Sequence, residues 1–190
     1  MFYQILGFVV QLVEGLVAGT CLLRLLFYFQ NISLNPASGN SLGPFVMAVT
    51  NWLVLPIKKI VPPIGRFDSA SFLGAYIVIL LKATLLWFIT ANNHQNFGFV
   101  VGVSIFELIK MSLTCLNGLV LIFAVMSWIN PESSINYIFT RLVGPILKPI
   151  QRVLPLLGGI DLSPLVLLAM IQIALMILEG LKGQLLFMFL

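Results

Sequence analysis

The residues able to do chemistry are few, and most stand where charge is costly. Glu14, Arg24, Lys82, Glu107, Lys110 and Glu179 all fall within or beside long apolar runs. One histidine, His94, sits in a polar turn, and the two cysteines, Cys21 and Cys115, lie inside apolar runs with no metal-type spacing. Phosphate-cradling glycine loops, zinc-protease helix motifs and nucleophile elbows are missing from the sequence. These residue types support ion pairing, or proton and cation traffic through lipid, rather than bond-breaking catalysis. No enzyme activity, metal or cofactor is expected.

An isolated charge at a bilayer centre costs roughly 2.5–3.5 kcal/mol, so each of these groups must find a partner or reach the interface. Glu107 and Lys110 are three residues apart and can pair on one helix face. Glu14 and Arg24 are ten apart, too far to pair within a helix. Arg24 lies near the end of its run and is expected to snorkel to the interface. Glu14 and Lys82 both lie near the middle of theirs and are expected to meet between helices.

The elements that must hold these groups are membrane spans. The 190 residues are 60% hydrophobic and only 8% charged, against about 25% charged in a soluble domain. A span needs about 20 apolar residues, and four runs qualify: 5–29, 69–91, 104–129 and 162–182. No basic stretch precedes the first run, so it reads as a retained span and not a cleaved signal. The third run begins at 97; as one helix it would be about 50 Å long against a hydrocarbon core of about 30 Å. It must tilt, kink or protrude, with Gly98, Gly102 and Gly118 as weak points. Segment 44–67 is apolar in part, but Pro56, Pro62 and Pro63 interrupt it and Lys58, Lys59 and Arg66 are costly in lipid, which argues against a fifth span.

The chain also repeats itself 93 residues on. Pro56-Ile-Lys-Lys-Ile-Val-Pro62-Pro-Ile-Gly65-Arg-Phe-Asp68 aligns without a gap on Pro149-Ile-Gln-Arg-Val-Leu-Pro155-Leu-Leu-Gly158-Gly-Ile-Asp161, and Glu14 aligns with Glu107. Duplication is the economical explanation. Repeat 1 covers 1–96 with an interfacial loop at 36–68; repeat 2 covers 97–190 with its loop at 130–161. Each copy holds two spans, an even number, so the copies insert in the same orientation. The expected fold is therefore all-α: about four transmembrane helices in two parallel tandem repeats, each with an amphipathic, proline-broken interfacial segment between its spans. In the second segment, Ile138, Leu142, Val143 and Ile146 recur at helical spacing, with Arg141, Lys148 and Arg152 opposite, and Pro145 and Pro149 should bend it. Gly65 and Gly158 permit tight turns back into lipid. Asp68 and Asp161 can cap the helices that follow, with Ser69 and Ser163 as competitors.

Six of the ten basic residues, Lys58, Lys59, Arg66, Arg141, Lys148 and Arg152, lie in the two motif loops. The positive-inside rule then puts those loops in the cytoplasm and both termini on the periplasmic side. The partners expected are the bilayer itself, through anionic headgroups at the basic loops, and other membrane proteins or further copies of the chain. Direct nucleic-acid binding is not expected.

Two copies of this proline–basic–proline–glycine–aspartate motif, each between spans, resemble the YggT family, whose photosynthetic members are called YlmG. The similarity is concentrated in TNWLVLPIKKIVPPIGRFDSAS (50–71), Ser127-Trp128 and GPILKPIQRVLPLLGGIDLSP (144–164), and Arg24 fits the basic residue late in the family's first span. Arg66 departs from the second copy, where Gly159 stands. The resemblance implies a bacterial inner-membrane protein without assigned enzyme activity. Bacterial members are linked to osmotic-shock tolerance and potassium homeostasis. Photosynthetic members are linked to nucleoid or thylakoid organisation and haem attachment in cytochrome b6. A membrane organiser or assembly factor working through its cytoplasmic face would reconcile these. The alternative is an ion (potassium or proton) channel, or a transport-modulating protein, using the intramembrane charges.

Overall fold

The computed structural model describes residues 2–35, 40–89, 97–130, 132–154 and 161–189. Pro36, Pro131, Pro155, Gly158, His94 and the rest of the polar turn at 92–96 lie outside the described residues. Among the described residues six helices follow in order: α1 (Phe2–Phe29), α2 (Gly43–Ile60), α3 (Ser69–Ile89), α4 (Phe97–Ile129), α5 (Ser134–Gln151) and α6 (Ser163–Phe189). Four contain segments long and apolar enough to cross a membrane: Gln4–Phe29, Ser69–Ile89, Gly98–Ile129 and Ser163–Gln184. The four spans read from hydropathy are these four. The third begins earlier than 104, because α4 runs unbroken through Gly98, Gly102 and Gly118. Contacts divide the chain into two compact units, Met1–Ser112 and Leu113–Leu190, so the first unit includes the start of α4.

The remaining two helices correct one expectation. Pro56 does not break its segment: α2 carries it as an interior residue and ends only at Ile60, ahead of Pro62-Pro63. In α5, Pro145 and Pro149 are likewise interior. A proline inside a helix leaves the carbonyl four residues back without its donor. Here all three prolines, and the residues four positions before them (Trp52, Arg141 and Pro145), are exposed, so water or headgroups can serve the freed carbonyls.

Helix ends are set by local chemistry. The α1 terminus closes on Asn31, at φ +52°, with Ile32 N–H bonded to the Phe27 carbonyl and Asn31 N–H to that of Tyr28. This is the paired-bond stop that satisfies the last carbonyls of a helix. Before α2, the Asn40 side chain donates to the Ser33 carbonyl and accepts from Leu42 N–H. Ser133 caps α5 by accepting from Asn136 N–H at 3.1 Å. Asp161 accepts from Ser163 N–H at the start of α6 and from the Gln151 amide at the end of α5, which ties those helices together. Burial pushes the Asp161 carboxyl up, but the hydrogen bonds from Ser163 and Gln151 outweigh it and leave the pKa below its ordinary value.

In the first unit α1 lies along α3, and α2 rests on both. Ala18, Cys21, Ser71 and Ala75 are fully buried at this junction. Small residues are what lets spans approach closely where lipid offers no hydrophobic drive for association. The outward face of α1 (Ile5, Phe8, Leu12, Leu16) is exposed and apolar, as a lipid-facing stripe must be. In the second unit α5 packs on α6 and buries Ile138, Phe139, Leu142, Val143 and Leu147.

Gly43 is the tightest of the described glycines: a Cβ there would collide with the Leu34 carbonyl oxygen. Gly43→Ala must displace backbone and should cost about 1–3 kcal/mol, read as a lower thermal midpoint in detergent. Gly118→Ala, which meets open space, should not lower it.

Candidate functional site

Two polar centres are built into the apolar interior of the first unit, both anchored on α1. Nearer the α1 terminus, Arg24 is only 8% exposed. Its guanidinium donates to Thr50 Oγ1 at 2.8 Å and Asn51 Oδ1 at 2.7 Å, both on α2. Its Nε lies 4.0 Å from Asp68 Oδ2, at the N-terminus of α3. The Thr50 hydroxyl gives its own proton to the Val46 carbonyl, so its lone pair is available to the arginine. Asp68 Oδ2 also accepts from Ser71 Oγ at 2.6 Å, while Asp68 Oδ1 is buried without a hydrogen-bond donor. One guanidinium thus ties α1 to α2 and to the entrance of α3. Arg24 does not reach outward as snorkelling requires: it is buried, and α2 and Asp68 supply its partners.

The connector between α2 and α3 is equally determined. Ile64 and Phe67 exchange both backbone hydrogen bonds at 3.0 Å around Gly65 and Arg66. Gly65 has φ +59°, whereas Arg66 is not among the positive-φ residues, which makes this a type II′ turn with glycine at its first central position. Arg66 therefore fits the turn without strain. Ser69 Oγ donates to the Pro62 carbonyl at 2.7 Å, and the Phe67 and Phe72 rings lie 5.4 Å apart. Lys58 Nζ sits 5.5 Å from the centre of the Tyr28 ring, a cation–π distance. Lys59 and Arg66 are exposed, as are Ile60, Ile64 and Phe67. The motif residues Lys58, Gly65 and Asp68 are thus fixed in place, and the apolar and basic tip they support projects outward.

The second centre lies midway along α1. Glu14 Oε2 accepts from Lys82 Nζ at 2.6 Å, with the carboxylate side chain 7% exposed and the ammonium side chain 20%. The pairing of these two mid-run charges is as their positions required. Both line a cleft of about 340 Å³ together with Glu107, Trp87 and Phe99. Lys110 follows one turn later on α4, half-buried, and is not among the residues lining the cleft. In the second unit, Glu179 on α6 and the motif residues Pro149 and Arg152 are exposed. Among the described residues, no group of three or more His, Cys, Asp and Glu side chains could hold a metal ion.

Sequence reasoning missed Thr50 and Asn51 as partners of Arg24. The available signal was a polar Thr-Asn pair ahead of the motif, in a segment read as interfacial loop.

The family model described as CCB3/YggT matches residues 1–89 and 103–182. A protein of Vibrio alginolyticus, described as an uncharacterized protein in the proC 3′ region, is 33% identical over 150 residues, 78% of this chain and 81% of its own length. The protein YggT of Escherichia coli K12 is 34% identical over 135 residues, 70% of each chain. A Haemophilus influenzae protein is 31% identical over 135 residues, 68% of each chain. No solved structure matches.

The two centres give separable outcomes. Lys82→Met leaves Glu14 buried without its ammonium and should cost about 3 kcal/mol or more, whereas Glu14→Leu with Lys82→Met recovers most of it; unfolding titrations of the four-member mutant cycle in mixed micelles measure the coupling. Arg24→Lys keeps the charge but loses the forked donors. Trypsin should then cut at Arg66 roughly tenfold faster, the equivalent of about 1.4 kcal/mol of local stability.

Proposed function

The chain belongs to the CCB3/YggT family, and from that membership we propose a non-enzymatic organiser or assembly protein of the bacterial inner membrane, acting through its motif connectors and contributing to osmotic-stress tolerance. The observation that carries this reading is the form of the α2–α3 connector. Its tip presents Lys59 and Arg66 beside exposed Ile60, Ile64 and Phe67, on a turn held by paired backbone bonds and by the buried Arg24–Asp68 cluster. Mobile loops lose entropy when they bind, whereas a preorganised tip has already done so. Basic residues beside apolar ones match a surface that meets anionic headgroups and the exposed flanks of other membrane proteins.

The second motif offers a related face. Arg141, Lys148 and Arg152 are exposed on and just after α5, with Tyr137 and Val153 exposed beside them. In the duplicated reading, each copy places a long span, an 18-residue amphipathic helix and a second span in that order. The recurring order of the helices and the two separate family-model matches support it. The positive-inside rule assigns both connectors to the cytoplasm, with the termini on the other side. The bilayer, neighbouring membrane proteins and further copies of the chain are the partners this surface fits.

The test pairs a cellular and a reconstituted measurement. Lys58→Glu with Lys59→Glu, or Arg141→Glu with Lys148→Glu and Arg152→Glu, should abolish complementation of an osmotic-shock defect at unchanged membrane abundance. Liposomes containing the purified protein alone should show no potassium or proton flux above empty vesicles. Robust flux lost in Glu107→Gln, with the loop reversals still active in cells, overturns the proposal in favour of ion conduction.

A further inference from the structure

The α2 helix is apolar on both faces for most of its length. Its inner face, Gly43, Val46, Thr50 and Val54, is buried against the unit. On the other side Phe45, Trp52, Leu55 and Ile60 are exposed. Charge enters only in the last turn, with Lys58 and Lys59. There Leu55, Pro56, Lys58 and Lys59 line an open cleft of about 410 Å³. Lys58 is held over the Tyr28 ring at 5.5 Å, and Lys59 is exposed. Among the described residues, no ion pair reaches either lysine. The C-terminal end of a helix carries about half a negative charge, less than two ammoniums bring. The cleft therefore favours an anion whose remainder is apolar.

We propose that this cleft binds one anionic phospholipid, its phosphodiester at Lys58 and Lys59 and its acyl chains along Leu55 and Trp52. The site deepens the organiser reading, on which it rests, by naming the partner of the first connector. Two features separate a lipid from a soluble anion or an acidic peptide. The lysines adjoin a row of exposed apolar side chains that runs back from Leu55 through Trp52 to Phe45, about 15 Å at the helical rise. A free phosphate leaves that row in water. An extended peptide brings backbone N–H and C=O groups that an apolar row leaves unpaired, whereas an acyl chain brings none. A tryptophan close to basic side chains is also the arrangement that marks the level of lipid headgroups.

The chain has three tryptophans, Trp52, Trp87 and Trp128, so Trp87→Phe with Trp128→Phe leaves Trp52 as the sole reporter. In phosphatidylcholine bilayers, phosphatidylglycerol with brominated acyl chains should quench Trp52 at about one-tenth the mole fraction that brominated phosphatidylcholine needs, a preference of the size two lysines near a headgroup supply. Lys58→Gln with Lys59→Gln should remove the preference. Arg141→Gln with Lys148→Gln, an equal loss of net charge, should leave it. Soluble glycerophosphoglycerol should not relieve the quenching, which separates the lipid from its free headgroup. Without any tryptophan replaced, native mass spectrometry should find one more phosphatidylglycerol retained by the unaltered chain than by the Lys58→Gln, Lys59→Gln protein. Equal quenching by the two lipids, a preference that survives the lysine replacements, or relief by the soluble headgroup overturns the proposal. Those outcomes strike the lipid site alone, because the organiser reading is decided by the complementation and flux measurements.

Discussion

A single buried guanidinium decides how the first unit is assembled. Arg24 stands on a lipid-exposed helix, and its charge must be answered by protein or by the interface. Protein answers it: Thr50 and Asn51 arrive on α2, and Asp68 arrives at the first turn of α3. Removing Asp68 would leave the guanidinium desolvated without its counter-charge, the costliest defect a membrane interior can hold. The constraint propagates. With α2 fixed over α1 and Asp68 fixed at the start of α3, the chain between them has only Val61 to Phe67 in which to turn. The II′ turn at Gly65-Arg66 is the short solution it uses. Small residues on α1 and α3 then let the two spans close below the cluster, where a Cβ added at Gly74 would meet Leu53, Val54 and Cys21 at ordinary contact distance.

The second sequence motif, 93 residues on, is built without such a cation. At that offset Asn117 falls opposite Arg24, and Val143 and Gly144 fall opposite Thr50 and Asn51. The aspartate remains, as Asp161, but its oxygens accept from Ser163 N–H and the Gln151 amide instead. Helix capping has taken over from ion pairing. The burden of placing α5 falls on its amphipathic face, the most strongly segregated of the six helices, with Leu142, Val143 and Leu147 buried and Arg141 and Lys148 exposed. A carboxylate cap and an apolar stripe do for the second motif what a buried ion pair does for the first.

What could be read from the residues alone follows the same physics. The spans were legible because lipid imposes length and hydropathy directly. The Glu14–Lys82 contact was legible because mid-depth charges have nowhere else to go. Gly65 was legible because the chain had to reverse within a few residues. Arg24 was misjudged because its distance from the helix end allows either snorkelling or burial, and only tertiary packing chooses between them. The continuity of α2 through Pro56 was hidden for a related reason: the penalty of an interior proline depends on whether its freed carbonyl faces solvent, and sequence does not disclose which side of a helix that is. The convergence of Glu107 with Glu14 was half visible, as a repeated position, but a shared cleft is a property of packing.

The two polar centres differ in a way that separates architecture from exchange. At the Arg24 cluster one positive group meets one negative group, with Nη1 bonded to both Thr50 and Asn51 and almost no exposure. Such a neutral, closed arrangement gives an incoming ion nothing to gain. At Glu14 and Lys82 the pair is the more open of the two, the lysine being one-fifth exposed, and a second carboxylate shares the cleft. Ten residues of α1, about 15 Å of helix, separate the centres. That distance exceeds a Debye length of about 8 Å in physiological salt, but the intervening medium is protein and lipid, where screening ions are scarce. Each centre sets a positive group against a negative one, Arg24 against Asp68 and Lys82 against Glu14, so the net field either imposes on the other is small.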